Sequence, residues 1–211
     1  MSTRVAFGII VAIVTGVAAT DIAHGARLRP SVRPPAMATI SPTAAAPAVR
    51  ATFSQAVEAV AGVGSPTSAY QQTALAAVQS RHPVPAFTSA QRTDLQAAGK
   101  AAIARYFASP QSTAELTALA KAMALDATPN LINLGSGISK IDFRIVTVTP
   151  SQATVVADVT AWAKSAARGN PLARWVLASP VSQVRYTATL RPTPDGTWRI
   201  TSLTTASAKG P

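Results

Sequence analysis

Val184-Arg185-Tyr186-Thr187-Ala188-Thr189-Leu190-Arg191, followed by Pro192-Thr193-Pro194-Asp195-Gly196 and then Thr197-Trp198-Arg199-Ile200-Thr201, decides the class of fold. Val184, Tyr186, Ala188 and Leu190 alternate with Arg185, Thr187, Thr189 and Arg191. Trp198 and Ile200 alternate with Thr197, Arg199 and Thr201. A period of two puts apolar side chains on one face of a strand and polar ones on the other, and the Pro/Asp/Gly cluster between the runs is a turn. The same period recurs upstream. Ile141, Phe143 and Ile145 alternate with Asp142 and Arg144, and Thr149-Pro150-Ser151-Gln152 turns the chain. Val155, Ala157, Val159 and Ala161 then alternate with Val156, Asp158, Thr160 and Trp162. Arg168 to Pro180 is a longer excursion between the second and third strands.

Before these strands the period is helical. Thr88-Ser89-Ala90-Gln91 has the pattern of a capping box. Leu95, Ala98, Gly99, Ala102, Ile103, Tyr106 and Phe107 follow it as one apolar stripe. Ser112-Thr113-Ala114-Glu115 is read as a second capping box, before Leu116, Leu119, Ala120 and Met123. Thr128-Pro129 is expected to open a third, very short helix with Leu131, Ile132 and Leu134, ended by Gly135-Ser136-Gly137. Helices followed by a run of antiparallel strands predict an α+β domain over residues 86–205, with the long helix covering one face of the sheet.

Residues 49–85 read as a weakly helical connector, residues 26–48 as a Pro/Ala/Arg-rich tether, and residues 206–211 as a tail. Residues 1–25 have the layout of a signal peptide or signal anchor: a basic start at Arg4, an uncharged run from Val5 to Ala19, then Asp21. The length of the run favours a cleaved signal, with Val17-Ala18-Ala19 and Ala23-His24-Gly25 as cleavage sites. Arg27, Arg29 and Arg33 oppose cleavage, and a secreted chain and a single-pass anchor both stay open. Either places the domain outside the cytoplasm.

The net charge of +11 admits attraction to an anionic surface, although no basic run of four residues occurs. The chain has no cysteine, so disulfides and thiolate chemistry are excluded. Its two histidines, His24 and His82, precede the α+β domain and form no pair with metal spacing, so neither a metal nor a cofactor is expected. Gly135-Ser136-Gly137 lacks the lysine of a phosphate loop. No aromatic interleaving of basic strand faces points to specific nucleic-acid binding.

The order of elements, with Ala104-Arg105-Tyr106-Phe107-Ala108, Thr128-Pro129-Asn130-Leu131 and the closing Asp195-Gly196-Thr197-Trp198-Arg199-Ile200, resembles the nuclear transport factor 2-like fold, also called SnoaL-like or cystatin-like. The resemblance implies helices on a curved antiparallel sheet around a cone-shaped cavity. A leader, a tether and one such domain are similar to the actinobacterial Mce-associated proteins and the TcpC-type proteins of conjugation. That likeness implies a retained anchor and a non-enzymatic accessory part that binds a protein subunit of an envelope complex, with self-association left open.

Enzymes of this fold use a buried acid beside a tyrosine. Glu115 is accounted for as a cap and Asp195 as a turn residue, which leaves Asp158 as the better cavity base, with Tyr106 and Tyr186 as hydroxyl donors and Trp162 as lining. The competing reading pairs Asp158 with Arg144 or Arg185 across the sheet. Arg174 and Trp175, in the long excursion, are candidates for partner contact. Three roles follow: an assembly protein first, a small-molecule or lipid binding module second, and an isomerase-like enzyme with Asp158 as base third.

Overall fold

Four helices precede five strands: α1 (Pro42–Gly62), α2 (Ser68–Ser80), α3 (Ser89–Tyr106), α4 (Gln111–Leu125), β1 (Leu131–Val148), β2 (Ala153–Ala167), β3 (Val176–Ala178), β4 (Val181–Pro192) and β5 (Trp198–Ser207). The computed structural model describes residues 42–63, 65–80, 82, 84–125, 130–169 and 173–207. The leader, His24 and most of the expected tether lie outside them. Among the described residues no helix is long and apolar enough to cross a membrane.

The strands form one antiparallel sheet in the order β1-β2-β4-β5, and β3 pairs with the end of β2 beyond β4. This is the α+β arrangement of helices on a curved antiparallel sheet. The alternation works as expected. Val184, Tyr186, Ala188 and Leu190 are buried, as are Val155, Ala157 and Val159 on the neighbouring strand, while Arg185, Thr187 and Arg191 point to solvent. β1 has three register shifts against β2, each of which bends a strand locally.

The element that covers the inner face is not the one expected. α1 begins at Pro42, inside the stretch read as tether, and runs through the stretch read as connector. Ala45, Val49, Phe53, Ala56, Val57 and Val60 recur at helical spacing, and all are buried. They pack with Val155, Val159, Tyr186, Leu190, Ile200 and Leu203 in a single core. The Phe53 ring meets Phe143 edge-on at 5.8 Å and Tyr186 at 6.3 Å, and the Arg50 guanidinium lies 4.8 Å from the Phe143 ring. Pro47 is the sixth residue of the helix, in its second turn, so α1 keeps its helical course there without one i→i−4 hydrogen bond.

α3 has the expected capping box: the Gln91 N–H donates to Thr88 Oγ1 at 3.1 Å, and the Thr88 N–H donates to Gln91 Oε1 at 2.8 Å. Its stripe is only partly buried, because α1 occupies the sheet. Within the helix, Gly99 and Ile103 are buried, and Ala98 is exposed. A Cβ on Gly99 would stand 3.0 Å from side-chain atoms of both Leu119 and Val63, so a hydrogen there lets α3 approach α4 and the end of α1.

The expected helix at Leu131, Ile132 and Leu134 is instead the start of β1; residues 126–129 lie outside the described set. Gly135 and Gly137 do not stop a helix. Gly135 sits at φ 142 within the first register shift, its N–H donating to Asn133 Oδ1 at 2.9 Å. Gly137 pairs with Trp162, and the indole would lie 3.0 Å from a Cβ there, so the ring covers bare backbone. Ser136 fastens this strand to the end of α1: its Oγ donates to the Ala61 carbonyl at 2.6 Å, and its N–H donates to Ser65 Oγ at 3.0 Å.

A second, smaller cluster closes the far end of the β1–β2 hairpin. Tyr70 and Ala74 of α2 pack with Leu134 and Ala166, the Tyr70 ring stacks on Phe87 at 4.3 Å, and its hydroxyl donates to the Pro85 carbonyl at 2.7 Å.

Phe53→Ala removes the side chain on which three elements converge. It is expected to lower unfolding free energy by about 3–5 kcal/mol, the usual cost of emptying a buried aromatic site, as read by urea denaturation. A loss below about 1 kcal/mol would show that α1 is not part of the core.

Candidate functional site

The inner face of the sheet, where the resemblance placed a cavity, is filled by the α1 stripe. Asp158 lies on the other face. Arg185 Nε donates to its Oδ1 at 2.7 Å, Arg185 Nη2 to its Oδ2 at 3.0 Å, and Arg144 Nε to the same Oδ2 at 2.8 Å. These hydrogen bonds, that from Arg185 foremost, bring the carboxyl down to about 2. A carboxylate clamped by two guanidiniums does not take up protons near neutrality, so the role of cavity base is corrected to that of a cross-strand ion cluster. The sheet separates Asp158 from Tyr186, because Tyr186 pairs with Ala157 and faces the core.

The remaining sequence candidates do not converge. Tyr106 is half-buried against the main core, with Arg105 5.2 Å from its ring. Trp162 covers the β1 glycines. Trp175 packs into the smaller cluster under the Arg168 guanidinium, 4.6 Å from the ring. Arg174 is exposed. The residues that face solvent here are the neighbours of Trp175: Val176 is 62% exposed, Leu177 47% and Val181 65%.

The sequence reading missed Glu115. α4 starts at Gln111, so Ser112 is not the cap, and Gln111, Glu115 and Leu119 form the buried row of the helix at a spacing of four. Gln111 Nε2 donates to Glu115 Oε1 at 2.8 Å, and the Leu203 N–H donates to Gln111 Oε1 at 3.0 Å. This relay ties α4 to β5. Glu115 Oε2 is buried with no hydrogen-bond partner among the described residues. Burial pushes this carboxyl up to about 7, against the lowering effect of Gln111. Tyr186 is pushed up to about 12 by its own burial and then by the Glu115 charge.

A groove of about 410 Å³ opens between α3, the start of α4 and β5. Ile103, Phe107 and Leu116 give it apolar walls; Lys100, Ser112 and Arg199 supply polar groups. The segment after α3 is held to the sheet by the Ala108 N–H, which donates to the Ile200 carbonyl at 2.9 Å. None of Tyr106, Asp158, Trp162, Trp175 and Tyr186 lines this groove.

No family model matches the chain. No curated protein matches it. Among solved structures it is similar to the intermembrane space region of the chloroplast protein ARC6, at 17% identity and a TM-score of 0.38 over 52% of this chain and 78% of that one. It is similar to CagV of Helicobacter pylori strain 26695, a VirB8 homologue of the type IV secretion system, at 9% identity and a TM-score of 0.38 over 77% of this chain and 99% of that one. It is also similar to an Ntf2-like protein involved in plasmid conjugation, at 8% identity and a TM-score of 0.30 over 57% of this chain and 43% of that one. These likenesses are distant.

Glu115 makes stability depend on pH. Its folded-state value of about 7 exceeds the ordinary 4.5. Its contribution is therefore complete below about pH 4.5 and is lost as pH rises through about 7. Glu115→Gln is expected to stabilise the protein at pH 8, by on the order of 2–3 kcal/mol, and to flatten the decline between pH 5 and 8. Equal pH slopes for the two proteins in urea melts would show that Glu115 does not titrate in this range.

Proposed function

We propose that this chain is an extracytoplasmic accessory protein, held at the membrane by its leader, whose domain binds a protein subunit of an envelope transport or conjugation complex. The observation that carries the reading is the exposed apolar strip of Leu177 and Val181, with Val176 exposed on the other face of β3. Single exposed apolar residues are ordinary, but Leu177 and Val181 pair with Ala166 and Trp162, which share one face of β2, so two large ones lie on the same face at the sheet margin, as a partner contact requires. The strip is fixed rather than loose. β3 pairs with β2 through Ser165↔Ala178, Ala166↔Leu177 and Ala167↔Val176, the Ala163 N–H donates to the Pro180 carbonyl at 3.1 Å, and Trp175 anchors the approach. A rigid apolar strip lowers the ordering cost of association. The apolar run from Val5 to Ala19 supports the location, and the proline-containing stretch before α1 supplies distance from the bilayer.

The double variant Leu177→Asp, Val181→Asp is expected to keep the wild-type melting temperature within a few degrees, since both side chains already face solvent. On native gels of membranes solubilised in mild detergent, the wild type should run in a complex larger than itself, and the variant should leave it. Recovery of wild-type chain in the cytosol, or an unchanged complex with the variant, would overturn the proposal.

A further inference from the structure

The groove beside α3, α4 and β5 lies apart from that strip, and its chemistry is different. Its cations have no counter-charge. Arg199 pairs in register with Arg191 across β4 and β5, so two guanidiniums leave the same face of the sheet side by side. Like charges in that position repel unless an anion lies between or upon them. Neither arginine, nor Lys100 on the opposite wall, makes an ion pair with a carboxylate among the described residues. Asp195, in the turn that joins the two strands, directs its carboxylate to the Thr193 and Thr197 hydroxyls instead. Arg199 Nε is buried, and it donates to nothing among the described residues. A buried donor without an acceptor is a cost to the fold.

The rest of the groove is apolar. Ile103 and Phe107 form a buried floor, and Leu116 stands above it with 42% of its surface exposed, on a helix whose other face is packed. The volume is within the range of small-ligand sites. A free inorganic anion would satisfy the cations and leave Leu116 wet; a neutral lipid would cover Leu116 and leave the arginines opposed.

We propose that this groove binds a single-chain anionic amphiphile, its carboxylate or phosphate head on Arg199 and Lys100 with Arg191 alongside, and its tail along Ile103, Phe107 and Leu116. The head neutralises the cross-strand arginine pair, and the tail removes Leu116 from water.

Titration calorimetry on the full chain in an uncharged detergent tests this, with octanoate and octyl phosphate as probes and octanol, acetate and inorganic phosphate as controls. Partition into micelles is common to all variants and cancels in the comparison. Saturable one-to-one binding of at least one charged amphiphile is expected, and which of the two binds identifies the head group. Octanol and the tail-less anions should bind at least tenfold more weakly. Arg199→Gln and Leu116→Asp should each weaken binding tenfold or more, and Lys100→Gln several-fold. Arg199 is partly packed, so Lys100→Gln and Leu116→Asp, at exposed positions, carry the test if that variant does not fold. Equal titration curves for wild type and variants, or tail-less anions binding as well as the amphiphiles, would overturn the proposal. None of these substitutions touches Val176, Leu177 or Val181, so loss of binding here with an intact native-gel complex separates this site from the partner surface.

Discussion

The fold depends on one contact, the apolar row of α1 laid into the inner face of the sheet. A sheet with one apolar face must bury that face against another element. α1 covers it with Val49, Phe53, Ala56 and Val60, and α3 and α4 are then left to pack at its flank and against β5. The order of packing explains several details. α3 is long but shallowly buried, Gly99 is needed where three helices crowd, and the end of α1 is pinned to β1 through Ser136. Because the row also fills the concave side, the same contact that makes the domain stable leaves the exposed apolar residues of β3 and β4 and the groove beside α3 at the periphery.

The strands were legible because their period is strict and their turns are chemically marked. α1 was legible only in part: residues 49–85 read as weakly helical, but its start at Pro42 and its place in the core did not show, and the reason is compositional. Its apolar row is mostly alanine and valine, interrupted by Pro47 and preceded by further prolines, so local composition resembles a tether while the spacing from Ala45 to Val60 is that of a core helix. Tertiary burial rather than propensity selects the helix here. Leu131 to Gly137 failed in the opposite direction. Its glycines look like a helix stop, but their role emerges only when Trp162, a strand away, lies over them.

Asp158 and Glu115 show how environment reverses a reading made from residue type. Asp158 lies on an alternating strand beside Trp162, which suggested partial burial, and its side chain is only 16% exposed, yet what covers it is a pair of arginines on the outer face and not a cavity. Glu115 fits a capping pattern, yet the helix begins two residues earlier than that pattern requires and the side chain points into the core. A shift of two residues turns a helical position by about 200°, from surface to interior. The groove was illegible for another reason. Lys100, Leu116 and Arg199 come from α3, α4 and β5, and no local spacing links them.

Charge is also arranged unevenly around the sheet. On β1, β2 and the middle of β4 each carboxylate has its cation: Asp142 with Lys140, and Asp158 with Arg144 and Arg185. At the β4–β5 end, Arg191 and Arg199 stand together without one among the described residues. Both regions face water on the same class of strand, so exposure alone does not account for the difference. Pairing like charges across a strand ladder costs stability in the free protein. A fold that retains such a pair next to an apolar wall, while neutralising its other strand charges, is less stable alone than it would be with a carboxylate in either position. That deficit is the physical opening for a ligand that carries the missing charge.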